Sequence, residues 1–284
     1  MFQKNLLEGK RILITGGATG LGKSMGQRFL ELGANLCICG RREEVLTQTA
    51  EELRKATGGA VSTFACDVRD NARVEEMIER FWQDGPLDAL VNNAAGNFIA
   101  RTEELSLGAF QAVIGIVLMG TLQVTMACGR RWLKEGRHAT VLNISTTYAE
   151  TGSAYVVPSS VAKAAVLNLT RSLAVEWGPR GIRHNAIAPG PVPTEGAFSR
   201  LMPVKSLEEL AKKRNPLGRF GTHEELANLA AFLVSDQSGY INGHQVVMDG
   251  GEWLKGASEF SHLGDLFTEE QWQAIKPKKS PPSP

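Results

Sequence analysis

Two tyrosines, Tyr148 and Tyr155, precede Lys163 within the stretch of residues 143–163. A lysine fixed on a helix near a phenol can supply a proton or hold an oxyanion at neutral pH, because the ammonium favours the ionised phenol. The residue one helical turn before Lys163, where a side chain can lie beside it, is Ser159 and not a tyrosine. The chemistry of the chain therefore depends on which group replaces that tyrosine.

The composition is that of an ordinary globular protein, with 43% hydrophobic and 21% charged residues among 284. The net charge of +1 provides no global field, so we expect neither a nucleic acid nor a membrane partner. Four cysteines without ligand spacing favour buried free thiols in a reducing compartment and no metal site. Because no targeting segment is visible, these features predict a cytoplasmic protein.

One uncharged run, residues 109–128, has the length of a membrane span. It contains Gln111, Gln123, Gly115 and Gly120, and short loops of a compact domain flank it. These features favour a helix buried by the sheet or by another subunit.

A glycine-rich turn follows the first strand-like run, residues 11–15, and precedes a helical pattern. Residues 17–24 fit G-x-x-x-x-G-K-[ST], the ATP/GTP P-loop, in which Lys23 would grip phosphates and Ser24 would bind magnesium. The same turn also fits T-G-x-x-x-G-x-G, a dinucleotide-binding turn, through Thr15, Gly16, Gly20 and Gly22. In that case Lys23 and Ser24 are ordinary residues of the first helical turn. The turn alone leaves both interpretations open.

Strand-like runs alternate with helical patterns along most of the chain. The predicted strands are residues 11–15, 35–39, 61–66, 87–91, 140–144, 182–187 and 245–248. This alternation predicts a single α/β domain over residues 1–284, with one doubly wound, Rossmann-type parallel sheet of about seven strands and helices on both faces. Within it we expect a core (8–251), a helical substrate lid (192–221) and a C-terminal extension (252–284).

The residues after the second, third and fourth strands indicate the cofactor. An acid often follows the second strand in NAD sites, whereas Arg41 suits the 2′-phosphate of NADPH. Asp67 and Val68 are placed to meet an adenine ring, and Asn93 and Ala94 lie where a ribose can rest on the backbone.

These motifs together resemble the short-chain dehydrogenase/reductase family, which the chain matches over about residues 8–251. The likeness is strongest to the 2,4-dienoyl-CoA reductases, through residues 92–98, 145–152, 157–163 and 189–200. Four ordered motifs outweigh the P-loop match. The resemblance implies NADPH-dependent reduction of a conjugated dienoyl-CoA to an enoyl-CoA in unsaturated fatty-acid β-oxidation, and a homotetramer.

The resemblance also implies residue roles. Tyr148 and Asn97 would hydrogen-bond the thioester oxygen, while Ser159 and Lys163 would order the cofactor ribose and the local hydrogen bonds. The remaining cofactor contacts that we predict are Thr15, Gly16, Thr19, Gly20, Leu21, Gly22, Pro189, Gly190 and Val192. Tyr155 lies eight residues before Lys163, the wrong spacing for a shared helical face, and is interpreted as wall or packing.

Two departures from the family pattern weaken an ordinary ketoreductase assignment. Met119 stands at about the place of the usual asparagine of the long helix, and Thr146 replaces the serine thirteen positions before residue 159. Two rival functions remain: a carbonyl or 3-oxoacyl reductase with another acid, and a non-catalytic NADP(H)-binding protein.

Overall fold

Seven parallel strands form one sheet in the computed structural model, which describes residues 3–194, 205–257, 261 and 263–274. The strand order is β3-β2-β1-β4-β5-β6-β7. In chain order the strands are β1 (Arg11–Thr15), β2 (Asn35–Gly40), β3 (Val61–Ala65), β4 (Ala89–Asn92), β5 (Ala139–Ile144), β6 (Ile182–Pro189) and β7 (Gln245–Met248). The order reverses between β1 and β4, and open α/β sheets bind ligands at the carboxyl ends of strands at such a point.

Helices connect the strands and cover both faces of the sheet. They are α1 (Gly20–Glu31), α2 (Glu43–Thr57), α3 (Asn71–Gln83), α4 (Leu107–Ile114), α5 (Gly120–Glu135), α6 (Tyr148–Thr151), α7 (Val157–Trp177), α8 (Lys205–Arg214), α9 (His223–Val234), α10 (Glu252–Ala257), α11 (Leu263–Leu266) and α12 (Glu269–Ala274). One apolar cluster packs α1, α2 and α9 on one face. A second cluster packs α3, α5 and α7 on the other face. The predicted doubly wound fold is therefore confirmed.

Strands β4 and β5 are buried along their whole length. A parallel strand that is covered on both faces needs a nearly continuous apolar run, because neither face meets water. This requirement explains why the short apolar runs in the sequence predicted the strands, with shifts of one or two residues at their ends.

The sequence predicts one long helix near residues 102–134, and the helix in the structure differs from this prediction in detail. It begins at Leu107, after a 3₁₀ turn at Thr102–Glu104, and Ser106 Oγ caps it by accepting from Ala109 N at 3.2 Å. A π-helical segment, Gly115–Met119, joins α4 to α5. By length and composition alone, this continuous helix over Leu107–Glu135 could cross a membrane. Half of its most apolar stretch is buried in the protein.

Two helix starts form the capping boxes that the T-x-x-E spacing of residues 222–225 and the T-x-x-Q spacing of residues 268–271 predict. Thr222 Oγ1 accepts from Glu225 N at 3.2 Å, while the Glu225 carboxylate accepts from Thr222 N at 2.8 Å. Thr268 and Gln271 exchange the same pair of bonds at the start of α12. Of the predicted substrate lid, residues 195–204 lie outside the described part of the chain, and α8 lies within it.

Candidate active site and cofactor groove

The hydroxyl of Tyr148 lies between two predicted site residues. Asn97 Nδ2 donates to Tyr148 Oη at 3.2 Å, and Ser159 Oγ lies 3.2 Å from the same oxygen. Asn97 Oδ1 accepts from Phe98 N at 2.9 Å, which turns the amide nitrogen toward Tyr148. The structure therefore brings together three residues that are separated by up to 62 positions in the chain.

Short elements hold this trio in place. Tyr148 begins the four-residue helix α6, in a stretch of small residues for which the sequence predicts a loop. Ser160, in the first turn of α7, donates its hydroxyl to the Tyr148 backbone carbonyl at 3.1 Å. Ser159 is buried beside it, so α7 fixes both the backbone and the hydroxyl of Tyr148.

Lys163 lies one turn further along α7 and is buried. Its Nζ donates to the carbonyl of Ile144, the last residue of β5. Burial lowers the pKa of Lys163 to about 8, because an ammonium is poorly solvated there. The Lys163 ammonium therefore bonds the end of β5. Tyr148 Oη instead bonds two neutral side chains, those of Asn97 and Ser159.

A buried polar chain links the elements behind the site. Asn92 Nδ2 on β4 donates to Asn143 Oδ1 on β5 and to Thr125 Oγ1 on α5, both at 2.9 Å. Asn143 Nδ2 then donates to Thr170 Oγ1 on α7 at 2.8 Å. This series of hydrogen bonds fixes β4, which precedes Asn97, relative to β5, which precedes Tyr148. The sequence analysis did not identify it, because nothing local distinguishes these residues.

A groove of about 1080 Å³ lies at the carboxyl ends of β1 to β4. Most of the residues predicted to bind the cofactor line it: Gly16, Thr19, Gly20, Leu21, Arg41, Asp67, Val68, Asn93, Ala94 and Val192. Of the other five, Gly190 lines a second cavity of about 720 Å³, and the remaining four do not line the groove: Thr15, Gly22, Lys163 and Pro189.

The glycine-rich turn forms a cradle for the groove. Gly16 and Gly20 have φ of 65° and 52°, in the left-handed region that favours glycine. A Cβ at Gly22 would lie 2.3 Å from Gly16 O, so only glycine lets the helix approach this closely. Thr15 Oγ1 accepts from the N–H groups of Asn93 and Ala94 at 3.0 Å, which joins the turn to the end of β4. This cradle fits a dinucleotide pyrophosphate at the start of α1.

The contacts of Lys23 and Ser24 are not those that a P-loop requires. Lys23 Nζ forms an ion pair with Glu52 at 2.5 Å. Ser24 Oγ lies 3.2 Å from Gly20 O and 2.6 Å from His223 Nδ1, and its single hydrogen can be donated to either atom. Neither side chain is set to grip a phosphate or a magnesium ion, which favours the dinucleotide interpretation.

Positive charge is present at the adenosine end of the groove. Arg41 and Arg42 are exposed and line it directly after β2. Asp67 bonds the Arg69 guanidinium at 2.6 Å, and this hydrogen bond lowers the pKa of the Asp67 carboxyl. The guanidinium groups of Arg41 and Arg42 are therefore suited to bind a 2′-phosphate.

His223 lines the groove, although the five histidines are scattered through the sequence without ligand spacing, which predicts surface or packing roles. Its Nε2–H donates to the carbonyl of Pro193 at 2.6 Å, while its Nδ1 contacts Ser24. The ring therefore joins α9, α1 and the first residues of the predicted lid. No sequence signal could have found it, because Ser24 and His223 lie 199 positions apart.

Met119, which stands at about the place of the family's usual asparagine, does not face the site helix α7. Met119 is 41% exposed, whereas Val117 is buried with Ala162 and Val166 of α7. Val117, not Met119, thus faces the helix that carries Lys163.

Among the residues that the structure describes, no cluster of His, Cys, Asp or Glu is grouped to hold a metal ion.

Comparison with known proteins identifies the family. Residues 16–252 match the family model described as enoyl-(acyl carrier protein) reductase. A Bacillus subtilis (strain 168) protein named probable 2,4-dienoyl-CoA reductase, (2E)-enoyl-CoA-producing, is 47% identical over 87% of this chain and 98% of its own. A Caenorhabditis elegans protein named probable 2,4-dienoyl-CoA reductase 3, (3E)-enoyl-CoA-producing, is 45% identical over 92% of this chain and 85% of its own.

A solved structure gives the same assignment. A short chain dehydrogenase from Bacillus anthracis superposes with a TM-score of 0.80 and 41% identity, over 87% of this chain and 98% of its own. The chain belongs to the short-chain dehydrogenase/reductase family of oxidoreductases, which use a nicotinamide cofactor.

Proposed function

We propose that this protein reduces a 2,4-dienoyl-CoA to an enoyl-CoA with NADPH, in unsaturated fatty-acid β-oxidation. The observation that carries the proposal is the Tyr148 hydroxyl, which is held between Asn97 Nδ2 and Ser159 Oγ at 3.2 Å each. The names of the relatives from Bacillus subtilis and Caenorhabditis elegans support the same activity.

The arrangement suits a substrate in which negative charge collects on a thioester oxygen. A reduced nicotinamide held in the groove would supply hydride to the distant end of the conjugated system. The dienolate oxygen then needs hydrogen-bond donors that are already in position. Tyr148 has one O–H, and Asn97 has a second N–H besides the one directed at Tyr148. These two groups can stabilise one oxygen from the ends of two neighbouring strands.

Ser159 supports Tyr148 in this role. When the Ser159 hydroxyl and Asn97 Nδ2 both donate to the phenol oxygen, the proton of Tyr148 is left for the substrate. An ordinary ketoreductase instead has to protonate an alkoxide, and a serine hydroxyl at residue 159 is a poor acid for that step. The trio therefore favours oxyanion stabilisation over carbonyl reduction.

Lys163 would hold the cofactor ribose next to this trio. Its Nζ is buried and uses one of three N–H groups on Ile144 O, which leaves donors for a ribose hydroxyl. Ser145 Oγ, next in the chain after Ile144, is a buried hydroxyl with no hydrogen-bond partner among the described residues. An orphaned hydroxyl beside the lysine fits a polar group of the cofactor at this strand end.

The preference for NADPH over NADH is also part of the proposal. Arg41 and Arg42 stand where an NAD site often carries an acid, and both line the groove.

The two relatives differ in the named position of the product double bond but are about equally similar, at 45% and 47% identity. We propose that water gives a proton to a carbon of the dienolate. Measuring the double-bond position in the product shows which carbon receives it.

The test is to follow loss of NADPH absorbance with dienoyl-CoAs of several chain lengths, and to identify the enoyl-CoA by mass spectrometry and double-bond position. We expect turnover with NADPH and much weaker turnover with NADH. Activity on 3-oxoacyl-CoA or ketones but not on dienoyl-CoA would instead support a carbonyl reductase. NADPH binding without turnover on any thioester would support a non-catalytic protein.

We further propose a cytoplasmic homotetramer without a membrane or nucleic acid partner. Apolar side chains exposed on α4, α7 and the π segment support self-association: Leu107, Met119, Val161 and Val175. The four cysteines are free and buried, which suits a reducing compartment. Light scattering coupled to size-exclusion chromatography would measure the mass, and a monomer would contradict this assembly.

A further inference from the structure

Tyr155 has an unusual backbone conformation. Its φ is 64°, and it is the single non-glycine residue with a positive φ in the part of the chain that the structure describes. A bulky side chain is strongly disfavoured there, because Cβ crowds the backbone. Such residues persist where the surroundings fix them, and they cluster at ligand sites.

The packing of the Tyr155 side chain does not offset that strain. The residue is 59% exposed, so little of its ring is buried against the protein. Ile99, on the opposite loop, is also 47% exposed. An exposed aromatic ring in a strained conformation has no internal reason to be there, which points to a contact outside the chain.

The position of Tyr155 indicates what that contact is. Its carbonyl accepts from Ala100 N at 2.9 Å, which joins the loop before α7 to the loop that carries Asn97. Asn97 lies three residues before Ala100 and bonds Tyr148 Oη. Tyr155 and Ile99 therefore stand at the rim of the oxyanion site, on the two loops that supply its donors.

We propose that the ring of Tyr155 packs against the conjugated acyl thioester and so determines substrate affinity. This inference rests on the proposed function. A planar conjugated chain offers a flat apolar face, which an aromatic ring can cover by offset stacking. The contact uses the ring and not its hydroxyl, so Tyr155 is a specificity residue separate from the donor Tyr148.

Three variants separate the ring from the backbone: Tyr155→Phe, Tyr155→Ala and Tyr155→Gly. We expect Tyr155→Phe to match the wild type. Tyr155→Ala and Tyr155→Gly should raise the KM for dienoyl-CoA by about tenfold, or about 1.4 kcal/mol. Neither should change kcat or the KM for NADPH appreciably. Tyr155→Gly should melt at a higher temperature than Tyr155→Ala, because glycine adopts a φ of 64° freely.

Binding provides a readout that does not depend on turnover. 2,4-Hexadienoyl-CoA titrated calorimetrically into the NADP⁺-loaded full chain, which has no hydride to transfer, should bind about tenfold more weakly to Tyr155→Gly than to the wild type. Equal binding, or a KM for NADPH that rises as much as that for the thioester, would overturn the role of Tyr155. A wild type that binds 2,4-hexadienoyl-CoA through Tyr155 but does not reduce it with NADPH would overturn the proposed function alone.

Discussion

Replacing Tyr148 by phenylalanine removes the hydroxyl, with its two hydrogen bonds, and leaves the ring in place. The ring remains in α6, whose backbone is held by the Ser160 hydroxyl and is unaffected. Asn97 stays oriented by its bond to Phe98 N, so one of the two proposed donors survives. The loss of one such donor costs about 2.7–4 kcal/mol, or roughly 10²–10³ in kcat. Tyr148→Phe should therefore be slow but measurably faster than the uncatalysed reaction.

Its effect on stability should be small by comparison. Tyr148 Oη makes two hydrogen bonds of 3.2 Å in a half-buried position, and each contributes about 0.5–1.5 kcal/mol net. The fold should survive, and the affinity for NADPH should be unchanged because the groove lining does not include Tyr148. Steady-state kinetics with varied dienoyl-CoA, and a separate NADPH titration, distinguish the two effects.

The chain contains a matched control in Tyr240, which is fully exposed and does not line the groove. Tyr240→Phe removes the same hydroxyl and should keep wild-type kinetics. Because Asn97 bonds Tyr148 directly, Asn97→Ala and Tyr148→Phe should not be additive in the double variant. If Tyr148→Phe retains kcat to within about threefold, Tyr148 is not an oxyanion donor and the reasoning fails.

Three further changes test the cofactor side of the site. Arg41→Asp should raise the KM for NADPH by about 10–100-fold and favour NADH, because a charge-assisted bond is lost; an unchanged NADPH/NADH ratio would contradict the role of Arg41. Gly22→Ala should destabilise the fold by about 1–3 kcal/mol, since its Cβ would lie 2.3 Å from Gly16 O, whereas Gly256→Ala, with nothing within 4 Å, should not; calorimetry measures both. Burial lowers the pKa of Lys163 to about 8 from 10.5, so the unfolded chain binds the extra proton between those values and the free energy of unfolding rises with pH there. Lys163→Met should remove that rise, on the order of 3 kcal/mol, and equal pH profiles of the two proteins would refute it.

Features that depend on neighbouring residues were predictable from the sequence. The capping boxes at Thr222 and Thr268 formed as expected, because their partners lie three residues away. The glycine turn and the strand runs were also visible, since φ requirements and two-sided burial act on short windows. The same locality explains why the fold class could be predicted.

Features that depend on contacts between distant residues were not predictable. The bond from His223 to Pro193, and the polar chain through Asn143, need the fold before their partners can be known. The left-handed conformation of Tyr155 and the π segment were not predictable either, because no residue type near them in the sequence indicates these conformations.

The spacing before Lys163 gains a physical meaning from these contacts. A tyrosine at residue 159 would lie one turn from the ammonium, the arrangement for delivering a proton to an alkoxide. In this chain the ammonium is bonded to Ile144 O, and the phenol of Tyr148 is bonded to the neutral side chains of Asn97 and Ser159. In the proposed mechanism, these separate bonding partners leave Tyr148 as a fixed donor for the charge that develops on the substrate oxygen. Such a donor fits a thioester dienolate better than a ketone, so the substitution at residue 159 and the relocation of the phenol to residue 148 are two parts of one change in chemistry.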